Sequence, residues 1–274
     1  MNNPVISIYM PAVRPHLWMG IYESLEKSNI PFEIIAVGHV PPEYKLPNNF
    51  HFIKTRVKPV QCAEIGFRAC KGEYCIYSHD DVFFGVYTLD LLLEKWQAIN
   101  NELVVVSCMP YQYGEKLETK RYRFWDGIEE SPHVPIAGLY KTSTMRKIGP
   151  RDRNFMVSYA DLDIAMRLYE MGGYNVFCEG TEANENLGLN GLNTQYRLID
   201  TGLALDWPWI EAYWVMSQPE YNSLSLEERN KLEIYFINTS RAHGIALKRR
   251  RYPVEPFTDV DLLKRSQGPK GVWL

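Results

Sequence analysis

Tyr74-Cys75-Ile76-Tyr77-Ser78-His79-Asp80-Asp81-Val82-Phe83 is the stretch on which the reading of this chain turns. It opens as a short run of β-branched and aromatic residues, the pattern of a buried strand. It then stops at two adjacent carboxylates, Asp80 and Asp81. Open α/β sheets bind ligands in the crevice outside the carboxyl ends of their strands, so a strand ending on paired acids presents them where a ligand would lie. Carboxylate oxygens are hard ligands suited to Mg²⁺ or Mn²⁺, ions that commonly bridge a protein carboxylate to substrate phosphates. The pair is therefore a candidate metal and diphosphate clamp. The competing explanation is a solvated turn, for which Asp is a common residue, and the pair alone does not choose between them.

The residues on either side supply an α/β frame. Upstream, Val5 to Met10 reads as a strand ended by Pro11, His16 to Lys27 carries apolar residues at helical spacing, and Phe32 to Gly38 is a second apolar strand. His51 to Lys54 forms a third, and Val60 to Lys71 is a helix stopped by Gly72. Strands alternating with helices imply right-handed βαβ units and a mostly parallel sheet, buried on both faces. Downstream come a helix over Val86 to Ile99, a strand over Val104 to Met109, and an irregular aromatic segment from Tyr111 to Pro135. Such a segment either covers a ligand or packs its aromatics beneath itself. Ile136 to Lys141 returns to a strand, Ser143 to Ile148 to a short helix, and Tyr174 to Cys178 to the last strand of the domain.

Between these lies a clear helix from Tyr159 to Met171, with Leu162, Ala165, Met166 and Tyr169 on one face and Gly172-Gly173 at its end. Beyond about residue 205 the sheet signals stop. Trp207 to Met216 and Ser225 to His243 read as helices, the second opened by the capping box Ser225-Leu226-Glu227-Glu228. The expected organisation is one α/β domain over residues 1–205 and a C-terminal helical extension with a tail over 206–274.

Composition removes several alternatives. A net charge of −3 gives no global attraction to nucleic acid or an anionic membrane. Five cysteines, odd in number and without metal-ligand spacing, argue for a reducing cytoplasm over a disulfide framework. No apolar run reaches the length of a membrane span, and the polar start is not a signal peptide. The histidines form no metal-binding pair, and no Gly-rich dinucleotide, P-loop or G-x-S-x-G motif is present. Lys248-Arg249-Arg250-Arg251 is a short basic run, read as a solvated tail, with a peripheral contact to an anionic membrane as the alternative. Trp207, Trp209 and Trp214 either pack the extension onto the sheet domain or form a wall for a second substrate.

A second pair of acids opens the helix at Ser158-Tyr159-Ala160-Asp161-Leu162-Asp163. Structural reasons suffice for it alone. Carboxylates are favoured near a helix N-terminus, Ser158 and Asp161 have capping-box spacing, and Asp163 with Arg167 makes an i, i+4 ion pair. Together, however, Tyr74 to Phe83 and the later run from Ala160 to Arg167 resemble the two hallmarks of inverting family 2 glycosyltransferases with the GT-A fold. Ser78-His79-Asp80-Asp81-Val82 is similar to that family's acid pair after an early parallel strand. Val5 to Pro11, Gly66, Lys71-Gly72-Glu73-Tyr74, Gly138 to Lys141 and Ile148-Gly149 fall in the expected order, so the likeness covers roughly residues 4–180.

This resemblance implies a Rossmann-like GT-A domain acting on a nucleotide-diphosphate sugar, a UDP-sugar first, with a saccharide or other hydroxyl acceptor and Mn²⁺ or Mg²⁺. It implies that Asp81 ligates the metal and that Asp80 bonds the donor ribose or the metal's water. Asp161 would be the general base, with Pro11 and Ala12 lining the nucleotide base. The chemistry needs such a division, because the leaving diphosphate gains charge while the acceptor hydroxyl must lose a proton. Departures from the pattern stand beside it. Gly38 occupies the place of a base-holding Asp, Ala63-Glu64 that of an Arg-Asn, and Ala160 that of an acid. No His follows the last strand, where residues 179–187 contain Glu182, Asn184 and Glu185: either one of these acids substitutes as a ligand or the stretch is a solvated loop. His79 beside the acid pair is either a phosphate contact or a structural residue. The rival functions are a nucleotidyltransferase, for which Pro11-Ala12-Val13-Arg14-Pro15 is a poor triphosphate loop, and a catalytically degenerate nucleotide-sugar-binding protein.

Overall fold

A computed structural model describes residues 3–185, 194–236 and 244–264. The chain begins with β1 (Ile6–Pro11), α1 (Pro15–Leu25), β2 (Phe32–Gly38), β3 (Phe50–Lys54), α2 (Pro59–Ala69) and β4 (Tyr74–Tyr77). These four strands are all parallel, with β1 between β2 and β4, and β3 outside β2. There follow β5 (Val82–Phe84), α3 (Thr88–Ile99), β6 (Val104–Gln112), β7 (Glu115–Lys116), β8 (Leu139–Lys141), α4 (Thr142–Ile148), α5 (Ala160–Glu170) and β9 (Tyr174–Glu185). The resulting sheet runs β3-β2-β1-β4-β8-β6-β9-β5, with β7 paired to β6. Only the short strands β8, β5 and β7 run against the rest. The carboxyl ends of β1, β4, β6 and β9 therefore share one edge.

Strand periodicity divides the core. Ile6, Ile8 and Met10 of β1 pack with Trp18, Ile21 and Leu25 of α1 on one face. Tyr9, Ile35 and Val37 pack with Cys62 and Phe67 of α2 and with Ile164 and Leu168 of α5 on the other. Both faces are covered, which is why these strands are unbroken in apolar residues. In the segment 111–135, Phe124 and Trp125 are buried beneath the loop, whereas Tyr113 is exposed.

The remainder comprises α6 (Thr194–Trp214), β10 (Val215–Ser217), α7 (Gln218–Ser223), α8 (Leu226–Lys231), β11 (Ile234–Phe236), β12 (Gly244–Leu247) and α9 (Asp259–Lys264). Helices prevail here as expected, but three strands add a small antiparallel sheet in the order β10-β12-β11. The expected helix over Trp207 to Met216 begins earlier and gives way at Trp214, where Val215 pairs with Ala246. The Ser225 capping box forms, yet the helix it opens ends at Lys231 instead of running to His243. Ile234-Tyr235-Phe236, β-branched and aromatic, takes a ladder partner in β12, and residues 237–243 lie outside the described set.

Helix α6 runs through position 205. Its Ile210, Tyr213 and Trp214 join Val60, Phe124, Trp125, Phe155 and Met166 in one apolar cluster. The basic run is not a solvated tail. Arg249 pairs with Glu233, Arg251 with Glu220, and the Lys248 ammonium lies 5.2 Å from the Tyr235 ring centre. The Arg250 side chain is 4% exposed and sits between two buried carboxylates. Four adjacent charges gave no sequence signal for partners dispersed over 152–235. Among the described residues no helix is long and apolar enough to cross a membrane.

Candidate functional site

The loop after β1 is tied to the turn after β4. Asp80 is buried, and its Oδ2 accepts the backbone N–H groups of Val13 (2.6 Å) and Arg14 (2.7 Å). Its Oδ1 accepts Arg14 Nε (2.9 Å) and Nη2. Both oxygens of Asp80 are thus engaged by the loop after β1. Arg14 then reaches on, and its Nη1 donates to Asp81 Oδ2 at 2.7 Å. Burial works against the Arg14 charge, but Asp80 and Asp81 outweigh it and hold the guanidinium protonated. At the end of β2, Gly38 lies so close to this loop that a Cβ would fall 1.7 Å from the Ala12 carbonyl oxygen. Only glycine fits. Ala12 N–H donates to Val37 O at 2.8 Å, so Pro11, Ala12 and Gly38 form one backbone wall beside the acid turn.

Asp81 is placed differently from Asp80. Its Oδ1 is buried and has no hydrogen-bond partner among the described residues, a costly state for a carboxylate oxygen. His79, Asp81 and Glu185 each offer a ligand atom, and these atoms lie within 4.8 Å of one another. Glu185 reaches the group because β9 continues past Cys178 and pairs with β5, setting Glu185 opposite Val82. Burial pushes the Glu185 carboxyl above its ordinary range. His79 and Arg14 counteract that shift and Asp81 adds to it. Two carboxylates and an imidazole, with one buried oxygen unsatisfied, fit a divalent cation of the Mn²⁺ or Mg²⁺ type.

Asp161 stands in the first turn of α5, half-buried, and makes no hydrogen bond or ion pair with a described residue. It lines a small cleft, of about 20 Å³, with Tyr9, Tyr77, Pro135, Gly138, Tyr140 and Arg151, most of them buried. Tyr77 links this cleft to the acid turn. Its hydroxyl is pushed up by burial first and by Asp161 next, with a smaller contribution from Asp81. The Tyr77 ring also packs edge-on against His79 at 5.2 Å. Arg151 is buried beneath, its guanidinium 5.0 Å from the Tyr77 ring centre and its Nη2 donating to Tyr9 Oη at 2.9 Å.

Two crystal structures of S. aureus TarS 1–349, one of them in complex with UDP, share this architecture, each with a TM-score of 0.52. Each aligns at 12% identity over 82% of this chain and 76% of that one. The fold is a GT-A-like glycosyltransferase fold. At that identity the likeness speaks for the fold alone. No protein-family model matches the chain, and no curated protein does.

In this GT-A-like frame the sequence-selected residues divide into groups. Pro11, Ala12, Gly38 and Asp80 come together at the carboxyl ends of β1, β2 and β4, with Asp81 on the exit side of Asp80. Asp161 faces the neighbouring cleft. The expected Ser158 cap does not form. Tyr159 occupies the N-cap position in a left-handed conformation and makes no side-chain capping bond to the helix. The Asp163 and Arg167 pair forms as spaced, at 3.0 Å. Trp214 and Trp207 pack inward, while Trp209 stays partly exposed. Sequence reasoning overlooked Arg14 as the partner of both acids and Arg151 under the cleft. A cation three residues after a strand, before a proline, was a usable signal for the first. Nothing local marked the second.

Proposed function

We propose that this chain is an inverting, metal-dependent glycosyltransferase of the family 2 type, moving a sugar from a UDP-sugar to an acceptor hydroxyl. The observation that carries the proposal is the placing of two acids around Tyr77: Asp81, with one buried oxygen unpartnered among the described residues inside a ligand-competent cluster, and Asp161 on a small neighbouring cleft. The GT-A-like fold supports it, as does the UDP held by the neighbour of that fold.

In this reading Asp81, Glu185 and His79 hold Mn²⁺ or Mg²⁺, which when bound supplies Lewis-acid stabilisation to the departing diphosphate. Pro11, Ala12 and Gly38 wall the nucleotide base. Asp80 acts through the loop after β1, fixing Val13 and Arg14 beside the donor. Arg14 adds a fixed positive charge near the phosphates, in place of the Arg-Asn the sequence lacks. Asp161, free of competing donors, accepts the acceptor's hydroxyl proton as that oxygen attacks the anomeric carbon in a single displacement. Residues from about 206 onward form an extension that supports this cleft. The five buried thiols suit a reducing cytoplasm.

One observation favours a second reading. Arg14 already neutralises Asp81, which suits a nucleotide-sugar-binding protein without turnover. A calorimetric titration with UDP-, GDP- and dTDP-sugars, with and without Mn²⁺, tests the proposal. UDP-sugars should bind more tightly with Mn²⁺, and Asp81→Asn should erase that difference. Equal metal dependence in both proteins rejects the ligand assignment, and binding without any turnover favours the second reading.

A further inference from the structure

The segment that delivers Asp161 is held from outside by the C-terminal part of the chain. Asp206 of α6 is fully buried. Its carboxylate accepts three consecutive backbone N–H groups, from Met156 (3.1 Å), Val157 (2.7 Å) and Ser158 (2.8 Å). These residues lead directly into α5 through Tyr159, a non-glycine residue at φ +62°. Such a conformation persists only when its surroundings impose it. The Tyr159 ring packs at 5.3 Å against Trp207, the neighbour of Asp206.

The other flank of Asp161 is held as firmly. Asp163, two residues on and fully buried, accepts Trp214 Nε1 at 3.0 Å and Arg250 Nε at 3.0 Å. Arg250 Nη2 continues to Asp152 at 2.6 Å, ahead of the same segment. Asp161 therefore lies between two buried carboxylate anchors, each joining the segment 152–163 to residues 206–250, while its own carboxylate has no hydrogen-bond partner among the described residues. A helix start lacking a side-chain cap of its own would otherwise fray. These anchors restrict the approach of Asp161 to the cleft.

We propose that Asp206, together with Trp214 and Arg250, forms a positioning clamp that aims Asp161 at the acceptor hydroxyl, so that the C-terminal extension is part of the transfer machinery. This inference rests on the reading of Asp161 as the base. Asp206 touches no substrate and acts through the segment 156–158. Since small misplacements of a reacting group cost ~10²-fold in rate, loosening the clamp should lower kcat and leave donor binding intact.

The test uses the full chain carrying Asp206→Asn, which keeps the shape but loses the charge and one acceptor oxygen. Hydrogen exchange read by mass spectrometry should show faster exchange at residues 156–158, with the sheet peptides over β1 and β4 unchanged. Transfer from a UDP-sugar in Mn²⁺ should show kcat reduced about 100-fold, with KM for the donor and the calorimetric stoichiometry of UDP binding held. A merely structural role would lower the stoichiometry in step with kcat. Trp214→Phe removes the indole N–H bond to Asp163, with some buried ring volume, and should give the same split, and it decides the matter if Asp206→Asn does not fold. Unchanged exchange at 156–158, or an unchanged kcat, overturns the clamp. A wild-type protein that turns over no nucleotide sugar sinks the functional reading and the catalytic half of this inference with it, while the exchange data still decide whether the clamp exists.

Discussion

Replacing Arg250 by methionine should destabilise the protein far more than the same change at its neighbour Arg249. The Arg250 guanidinium meets Asp152 at 2.6 Å and Asp163 at 3.0 Å, and both carboxylates are 0% exposed. It also lies 3.8 Å over the Tyr213 ring. Methionine fills the aliphatic volume but supplies no donor. Removing one partner of a buried ion pair costs about 3–5 kcal/mol, because the charge left behind is uncompensated. Here the lower end applies. Asp163 keeps Arg167 and Trp214, and Asp152 keeps the N–H groups of Asn154 and Glu255. Loss of the ring contact adds ~0.5–1 kcal/mol. A total of roughly 3–4 kcal/mol lowers the melting temperature by about 6–16 °C for a chain of this size. Arg249 instead pairs with Glu233 at the surface, where both side chains are mostly exposed, and Arg249→Met should leave the midpoint unmoved. The assay is thermal and urea unfolding of both variants beside the parent. Equal midpoints for the two variants would refute the buried network and return the basic run to solvent.

Three further outcomes follow from the geometry. Arg14→Met strips Asp80 and Asp81 of their shared cation, so the protein should lose ~3–5 kcal/mol without metal. Mn²⁺ should then raise its midpoint more than it raises the parent's, and an equal or smaller rise would show that Arg14 and the ion do not share Asp81. All five cysteines are buried, and burial pushes Cys75 up to about 12 and Cys62, Cys70 and Cys108 higher. A thiol-reactive disulfide reagent near neutral pH should find none of them until the protein is unfolded, and any native reaction contradicts the packing. Burial, with Arg123 nearby, holds His133 below its ordinary 6.5. Its contribution to stability is complete above that value and is lost as pH falls through the folded one. His133→Gln should therefore flatten the acid limb of the stability profile, and an unchanged limb would contradict it.

The sheet domain was legible in the sequence because its elements obey local rules. Continuous apolar strands, helical spacing and glycine stops marked β1 to α2 and β4 within a few residues. The acid turn was legible for the same reason, since Asp80 and Asp81 sit where a strand visibly ends. What lay hidden depends on contacts between distant residues. Glu185 joins His79 and Asp81 only because β9 runs seven residues beyond Cys178 to pair with β5. Asp206 reads as an ordinary helix acid, and only the fold turns it into the acceptor for residues 156–158. Arg250 was one of four basic residues alike in sequence, and burial alone distinguishes it. The strands β10 to β12 were missed because three- and four-residue ladders carry too little periodicity to outweigh a flanking helix signal.

The central claim is that Asp161 draws a proton from the acceptor while a separate acid cluster holds the leaving diphosphate. Its most direct test is nucleotide release from a UDP-sugar in Mn²⁺ by the parent and by Asp161→Asn, each first shown by calorimetry to bind UDP. The account predicts equal UDP affinity and a near-complete loss of release in the variant. Undiminished release by Asp161→Asn would contradict it.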